Sequence, residues 1–229
     1  MIHHEVICMT QNKTKLTDKL EKIRKPRPIS AGRAAAGTVI SAFTGVMLGV
    51  SAKWLDDLAL DSDIWWHRIV ERLNLSAFFS DIAIWLLIAL VIAVISASAK
   101  RAALNVFVFF AGMCAAYHIW TIVFSGFDPG TYMLIWYGIT LVSPLPGALC
   151  WYARGNGYAA AVISCLIMAV FWAVCFNIGL VYIGLKDVLS LLVFIAAAAI
   201  LHKSRKRTAV MLAAGAVLAL PVSVVNPFK

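Results

Sequence analysis

The sequence predicts an all-α, polytopic transmembrane helical bundle of about seven spans, and three observations carry that expectation. Of the 229 residues, 62% are hydrophobic and 14% are charged, against roughly 25% charged in a soluble domain. One core of this size cannot bury so much apolar surface. The charges are also segregated into clusters between long uncharged runs, which is the block pattern of membrane helices. Finally, the basic residues sit at the ends of those runs. The net charge of +9 is therefore read as membrane orientation, and no nucleic-acid partner is expected.

The apolar runs fall at 34–52, 82–99, 102–124, 131–151, 158–183, 187–202 and 208–225. At ~1.5 Å per residue, 18 residues cover ~27 Å of a ~30 Å hydrocarbon core. The sixth run is the shortest. Its uncharged stretch is Val188 to Leu201, and Lys186 and Lys203 must snorkel at its ends. With the N-terminus inside and the C-terminus outside, 15 of the 20 Lys and Arg lie in inner segments, as the positive-inside rule demands. A bacterial cytoplasmic membrane is the expected location.

Residues 1–33 read as a basic cytoplasmic juxtamembrane tail, with Lys13, Lys15, Lys19, Lys22, Arg24, Lys25, Arg27 and Arg33. A helix from Lys13 to Lys25, ended by Pro26 and Pro28, is expected to lie on anionic headgroups. A membrane or cytoplasmic subunit is the other partner such a tail could dock. Residues 34–229 form the bundle, with an outer amphipathic loop at 53–81. There Trp66, Ile69, Val70 and Leu73 share a helical face, capped by Asp61 or Asp63.

The small residues Gly37, Ser41, Gly45 and Gly49 recur at intervals of four on the first span. They form one face on which another helix can approach closely. The fourth span carries Pro144 and Pro146, which lack amide hydrogens. The carbonyls of Thr140 and Val142 thereby lose their helical partners. In hydrocarbon those carbonyls need another donor, and the Thr140 and Ser143 hydroxyls, a water or a ligand are the candidates. Such a break is either a plain kink or a transporter site.

His118 is the one ionisable side chain clearly inside a span, and such a residue marks a functional position by default. Asn177, at a similar depth on the fifth span, is its expected partner. The ligand-binding set read from these features is His118, Tyr137, Thr140, Ser143 and Asn177. Tyr132, Trp136, Tyr137 and Tyr182 belong to the same outer layer, and an aromatic belt at the membrane surface predicts the same residues. The inner turn Trp151–Gly157 expects positive φ at Gly155 and Gly157, and it lacks the further glycines and lysine of a phosphate loop.

Other classes find little support. No HExxH, no GxSxG and no pair of intramembrane carboxylates occurs, so an enzyme is not favoured. The five cysteines contain no CxxC and read as small buried hydrophobes. His3, His4 and Cys8 belong to the terminal segment. No metal and no cofactor is expected. Leu86-Leu87 precedes Lys100-Arg101 by the same distance as Leu191-Leu192 precedes Arg205-Lys206. Spans 1–3 and 5–7 would then be parallel copies joined by span 4, a 3+1+3 plan known among transporters.

The segments Phe107–Met113, Tyr117-His118 and Trp151–Gly157 resemble those of a group of small bacterial integral-membrane proteins. The resemblance covers roughly residues 34–185. It implies a bacterial cytoplasmic membrane and carries no assigned activity. The functional expectation is a permease or binding component for a small, weakly polar solute. The alternative is a non-transporting structural, accessory or regulatory membrane protein.

Overall fold

The computed structural model describes residues 18–61, 63–178 and 182–225, and in them the chain is helical apart from one short hairpin. The described part of α1 covers residues 18–23. There follow α2 (Ala31–Asp56), α3 (Trp65–Arg72), α4 (Leu75–Ser80), α5 (Ile82–Ile95) and α6 (Ala99–Trp120), which a π-helical turn extends over Thr121–Ser125. Next come α7 (Gly130–Val142), α8 (Pro144–Ala153), α9 (Gly157–Cys175), β1 (Phe176–Ile178), β2 (Ile183–Leu185), α10 (Val188–Leu201) and α11 (Arg205–Val225). Lys13, Lys15, His3, His4 and Cys8 lie outside the described residues.

Polar side chains fix where the apolar helices begin. Ser30, Asp81, Ser98 and Asp187 each accept a hydrogen bond from a backbone amide of the first turn of α2, α5, α6 and α10, satisfying donors that a helix start leaves free. Among the described residues, three helices are long and apolar enough to cross a membrane: α2, α6 with its π turn, and α9. The pair α7–α8, bent by 52°, makes a fourth if it is one broken span. α5 and α10 are apolar but have 14 residues each, about 21 Å of helix.

The helix ends gather into two layers. At one end Arg27 reaches the carbonyls of Ile95 and Ser96, Arg24 those of Val94 and Trp151, and Lys203 the α8–α9 turn. At the other, Asp56 and Asp57 meet Ser76, Tyr117, Trp120 and Ser125, and Lys186 pairs with Asp81 at 3.0 Å. Between them lies a core built on Trp85, Phe109, Phe110, Met133, Trp136, Met168 and Phe171. Outward positions such as Val39 and Phe43 of α2, Leu141 of α7 and Leu145 of α8 are exposed, so these helices are apolar on their outer faces as well.

The most extensive helix contact is α2 with α6, followed by α9 with α11. These are the first and third members of the two triplets that the leucine and basic spacing suggests. At the α2–α6 seam the backbones nearly touch. A Cβ added at Gly45 would overlap the Phe109 carbonyl, one at Gly49 would sit 2.5 Å from the Met113 carbonyl oxygen, and one at Gly112 would sit 2.7 Å from that of Ala42. Ser41 is buried in the same seam, whereas Gly37 has room, with Asn105 Nδ2 3.9 Å away.

The structure departs from the sequence reading at several points. The helix of the fifth expected span, α9, ends at Cys175 rather than near 183, and the residues beyond it form a β-hairpin in which Asn177 pairs with Gly184. Ile64, not Asp61 or Asp63, is the N-cap of α3, with no side-chain cap. The Asp61 amide instead donates to His67 Nδ1, which turns His67 inward beside Val70 and leaves Ile69 and Leu73 exposed. In the α8–α9 turn only Gly157 has positive φ. Gly155 is needed for space, because a Cβ there would lie 2.6 Å from the Ile23 carbonyl oxygen.

Candidate functional site

The break between α7 and α8 is the centre of the candidate site. Pro144 removes the amide that would serve the Thr140 carbonyl. The Ser143 hydroxyl donates to that carbonyl at 2.8 Å, and the Ser143 amide lies 3.3 Å from it. The helix then restarts with Pro144 in its first turn, where a missing amide costs nothing. Thr140 is buried. Its hydroxyl donates to the Trp136 carbonyl at 2.8 Å and lies 3.3 Å from Cys114 Sγ on α6.

Beside the bend lies a cleft of about 520 Å³. Ser143 and Gly147 line its buried floor, Gly138, Val142 and Pro146 its exposed rim, and Leu90, Phe110 and Phe171 its opposite wall. Its surface is almost wholly apolar, drawn from α5 to α9. The Ser143 hydroxyl, the polar group at the break, is already committed to Thr140.

The five sequence-predicted ligand residues do not form one pocket. Only His118 and Tyr137 meet side chain to side chain: the rings stack at 5.9 Å, and Nδ1 is hydrogen-bonded to the phenol. His118 Nε2 lies 3.6 Å from Asp128. Asn177 is exposed in β1, and His118 is paired to α7 rather than to the fifth span's residues. Thr140 and Ser143 serve the break itself. Of the five, Ser143 alone borders the cleft.

A second polar cluster escaped the sequence reading. Lys53, buried in the last turn of α2, pairs with Asp57 four residues on, an i,i+4 spacing that signals such a pair. Asp57 also accepts from Ser125 Oγ at 2.7 Å and from Trp120 Nε1 at 3.3 Å. Burial pushes the Asp57 carboxyl up, but the hydrogen bonds from Lys53 and Ser125 and the Lys53 charge outweigh it and hold it below its ordinary value. Asp56 accepts from Ser76 at 2.7 Å and from the Tyr117 hydroxyl at 3.1 Å. The cluster clasps the far end of the α2–α6 seam. A small aromatic pocket lies beside it, lined by Phe79, Trp85, Tyr117, Tyr132 and Trp136.

At the opposite end the basic groups serve as ties. Arg24 donates to the Trp151 carbonyl at 2.5 Å and to that of Val94 at 3.0 Å, with its guanidinium 4.5 Å above the Trp151 ring. Burial, then Arg27 and Arg154, lower its pKa. Burial and the neighbouring Arg207, Arg154 and Arg24 lower that of Lys203. Among the described residues no group of three His, Cys, Asp or Glu could hold a metal, and every buried side-chain nitrogen and oxygen has a hydrogen-bond partner. Compared with protein families, curated proteins and solved structures, the chain matches none.

Proposed function

We propose that the chain is a multi-pass membrane protein whose bent fourth span frames a binding site for a small, weakly polar or apolar molecule. In this reading α2, α5, α6, α7–α8, α9, α10 and α11 are seven crossings. The N-terminus lies inside and the C-terminus outside, in a bacterial cytoplasmic membrane. The apolar exterior and the two layers of helix ends support the crossings. The short α5 and α10 fit if the bilayer thins or flanking lysines snorkel. Among the described tail residues, Lys19, Lys22, Lys25 and Arg33 are exposed and can meet anionic headgroups.

The observation that carries the site is the cleft at the α7–α8 break. It opens at the junction of the two triplets and the helix that links them, and broken helices at repeat interfaces mark binding sites in transporters. Its lining selects against ions. A charged solute would find no polar group there to replace its water. A binding component or permease for a weakly polar solute is the function that this lining supports best.

One observation favours the second reading, a non-transporting structural or regulatory protein. His118, Thr140 and Ser143 are all spent on bonds within the chain, as helix-knitting residues would be. The two readings part in a thermal-shift screen of purified protein against small apolar and weakly polar molecules. Binding to the folded state raises its apparent stability by RT ln(1 + [L]/Kd). A molecule that shifts the wild type, and does so less after Val142→Trp at the cleft rim, supports the site. If no molecule shifts the wild type, the helix-knitting reading stands.

A further inference from the structure

A second groove lies on the other flank of α6, between α2 and α5, with a volume of about 750 Å³. α6 touches both helices extensively and forms the floor, where Asn105 is buried, accepting from Thr38 at 2.9 Å and donating to Ser96 at 3.1 Å. The walls are aliphatic, among them Ile40 of α2 and Leu87, Val91 and Ile95 of α5. Three arginines, Arg27, Arg33 and Arg101, stand at one end, and no acidic side chain lines the groove.

The three arginines are not equivalent. Arg27 is committed to the carbonyls that end α5, at 2.6 Å from that of Ile95. Arg33 and Arg101 make no side-chain hydrogen bond or ion pair among the described residues. Two uncompensated guanidiniums therefore face a long apolar slot that begins at the basic layer of helix ends. A phosphate matches that end, since a guanidinium binds phosphate oxygens through paired N–H donors. An acyl chain matches the slot, since aliphatic walls offer a polar ligand nothing.

We propose that the α2–α5 groove is a specific site for an anionic phospholipid of the inner leaflet, its phosphate held by Arg33 and Arg101 and one chain lying between α2 and α5. This rests on the proposed membrane orientation but not on the cleft at α7–α8. Basic pockets between membrane helices on the cytoplasmic side hold acidic lipid headgroups in the same way.

The test is native mass spectrometry of the purified full chain from mixed micelles, with phosphatidylglycerol, phosphatidylcholine or inorganic phosphate added. The expected result is one retained phosphatidylglycerol, weaker retention of phosphatidylcholine and none of phosphate alone. Arg33→Gln with Arg101→Gln should lower phosphatidylglycerol retention about 30-fold and abolish the preference over phosphatidylcholine, because each basic residue at the headgroup contributes about fivefold. Both side chains lack partners, so the variant should keep the wild-type melting temperature. Lys206→Gln, away from the groove, should change nothing. Equal retention of the two lipids by the wild type overturns the proposal, as does an unchanged preference in the double variant. Retention of phosphate alone overturns it in favour of a soluble anion.

Discussion

The α2–α6 seam and the α7–α8 break use glycine for opposite ends. In the seam, Gly45, Gly49 and Gly112 let two backbones meet with nothing between them. At the break, Gly138 faces open space, with no atom within 4 Å of where a Cβ would stand, beside a cleft of about 520 Å³. The seam is held by packing along two long helices and clasped at its far end by Asp56 and Asp57. The break is held by the Ser143 hydroxyl, the backbone hydrogen bonds of Ser143 and the packing of short helices. A bundle built this way concentrates close backbone packing in one pair of helices and leaves open space beside another. Residue type alone does not tell the two apart, because the same amino acid closes one space and borders the other.

Enlarging a seam glycine should have the largest effect. Gly45→Leu forces a side chain into the Phe109 carbonyl and should cost about 3 kcal/mol or more, read as lost expression and a lower denaturation midpoint. Val39→Leu, on an exposed face of the same helix, should behave as wild type. At the break the expected effect is smaller. Ser143→Ala removes a donor from the Thr140 carbonyl but leaves the longer backbone contact, so it should cost about 1 kcal/mol. Pro144→Ala restores the missing amide and should straighten the pair and narrow the cleft, a change that electron–electron distances between labels on α7 and α8 would register.

The smallest effect concerns the clasp. The Asp57 carboxyl is held below its ordinary value, so its ionised form contributes stability above the unfolded value of about 3.9. That contribution is lost as the pH falls through the lower folded value. The melting temperature of the wild type should exceed that of Asp57→Asn by a constant margin at pH 5 and above. The margin should shrink below about pH 4. A margin that grows on acidification would contradict the assigned hydrogen bonds.

Much of this was legible in the sequence, and the failures share a cause. Apolar runs gave the helices because a membrane-length helix needs a continuous one. The four-residue spacing of Gly37, Ser41, Gly45 and Gly49 marked the seam face, and Pro144 marked the break. The spacing could not name the partner helix, so Gly112 on α6 went unseen. His118 and Asn177 lie at similar positions along their runs, but depth says nothing about direction around the bundle. His118 turned out to face Tyr137. Asn177 left its helix altogether, since the apolar residues Phe176–Ile178 and Ile183–Leu185 suit a strand as well as a helix. Arg24 and Arg27 read as headgroup ligands because a charge count cannot show the carbonyls at the ends of α5 and α8 that they bind. Lys53 and Asp57 carried a readable i,i+4 signal, whereas their meeting with Trp120 and Ser125 is a tertiary fact.

The most direct test of the open cleft is Gly138→Leu, the same substitution that should wreck the seam at Gly45. Its melting temperature should be measured with and without a molecule that stabilises the wild type. The account predicts a variant at least as stable as wild type, because leucine favours a helix over glycine by roughly 0.5–1 kcal/mol and its Cβ meets no neighbouring atom within 4 Å. The ligand-induced shift should fall away, because the side chain occupies the rim. A Gly138→Leu protein destabilised like Gly45→Leu, or one that keeps the full ligand shift, would contradict it.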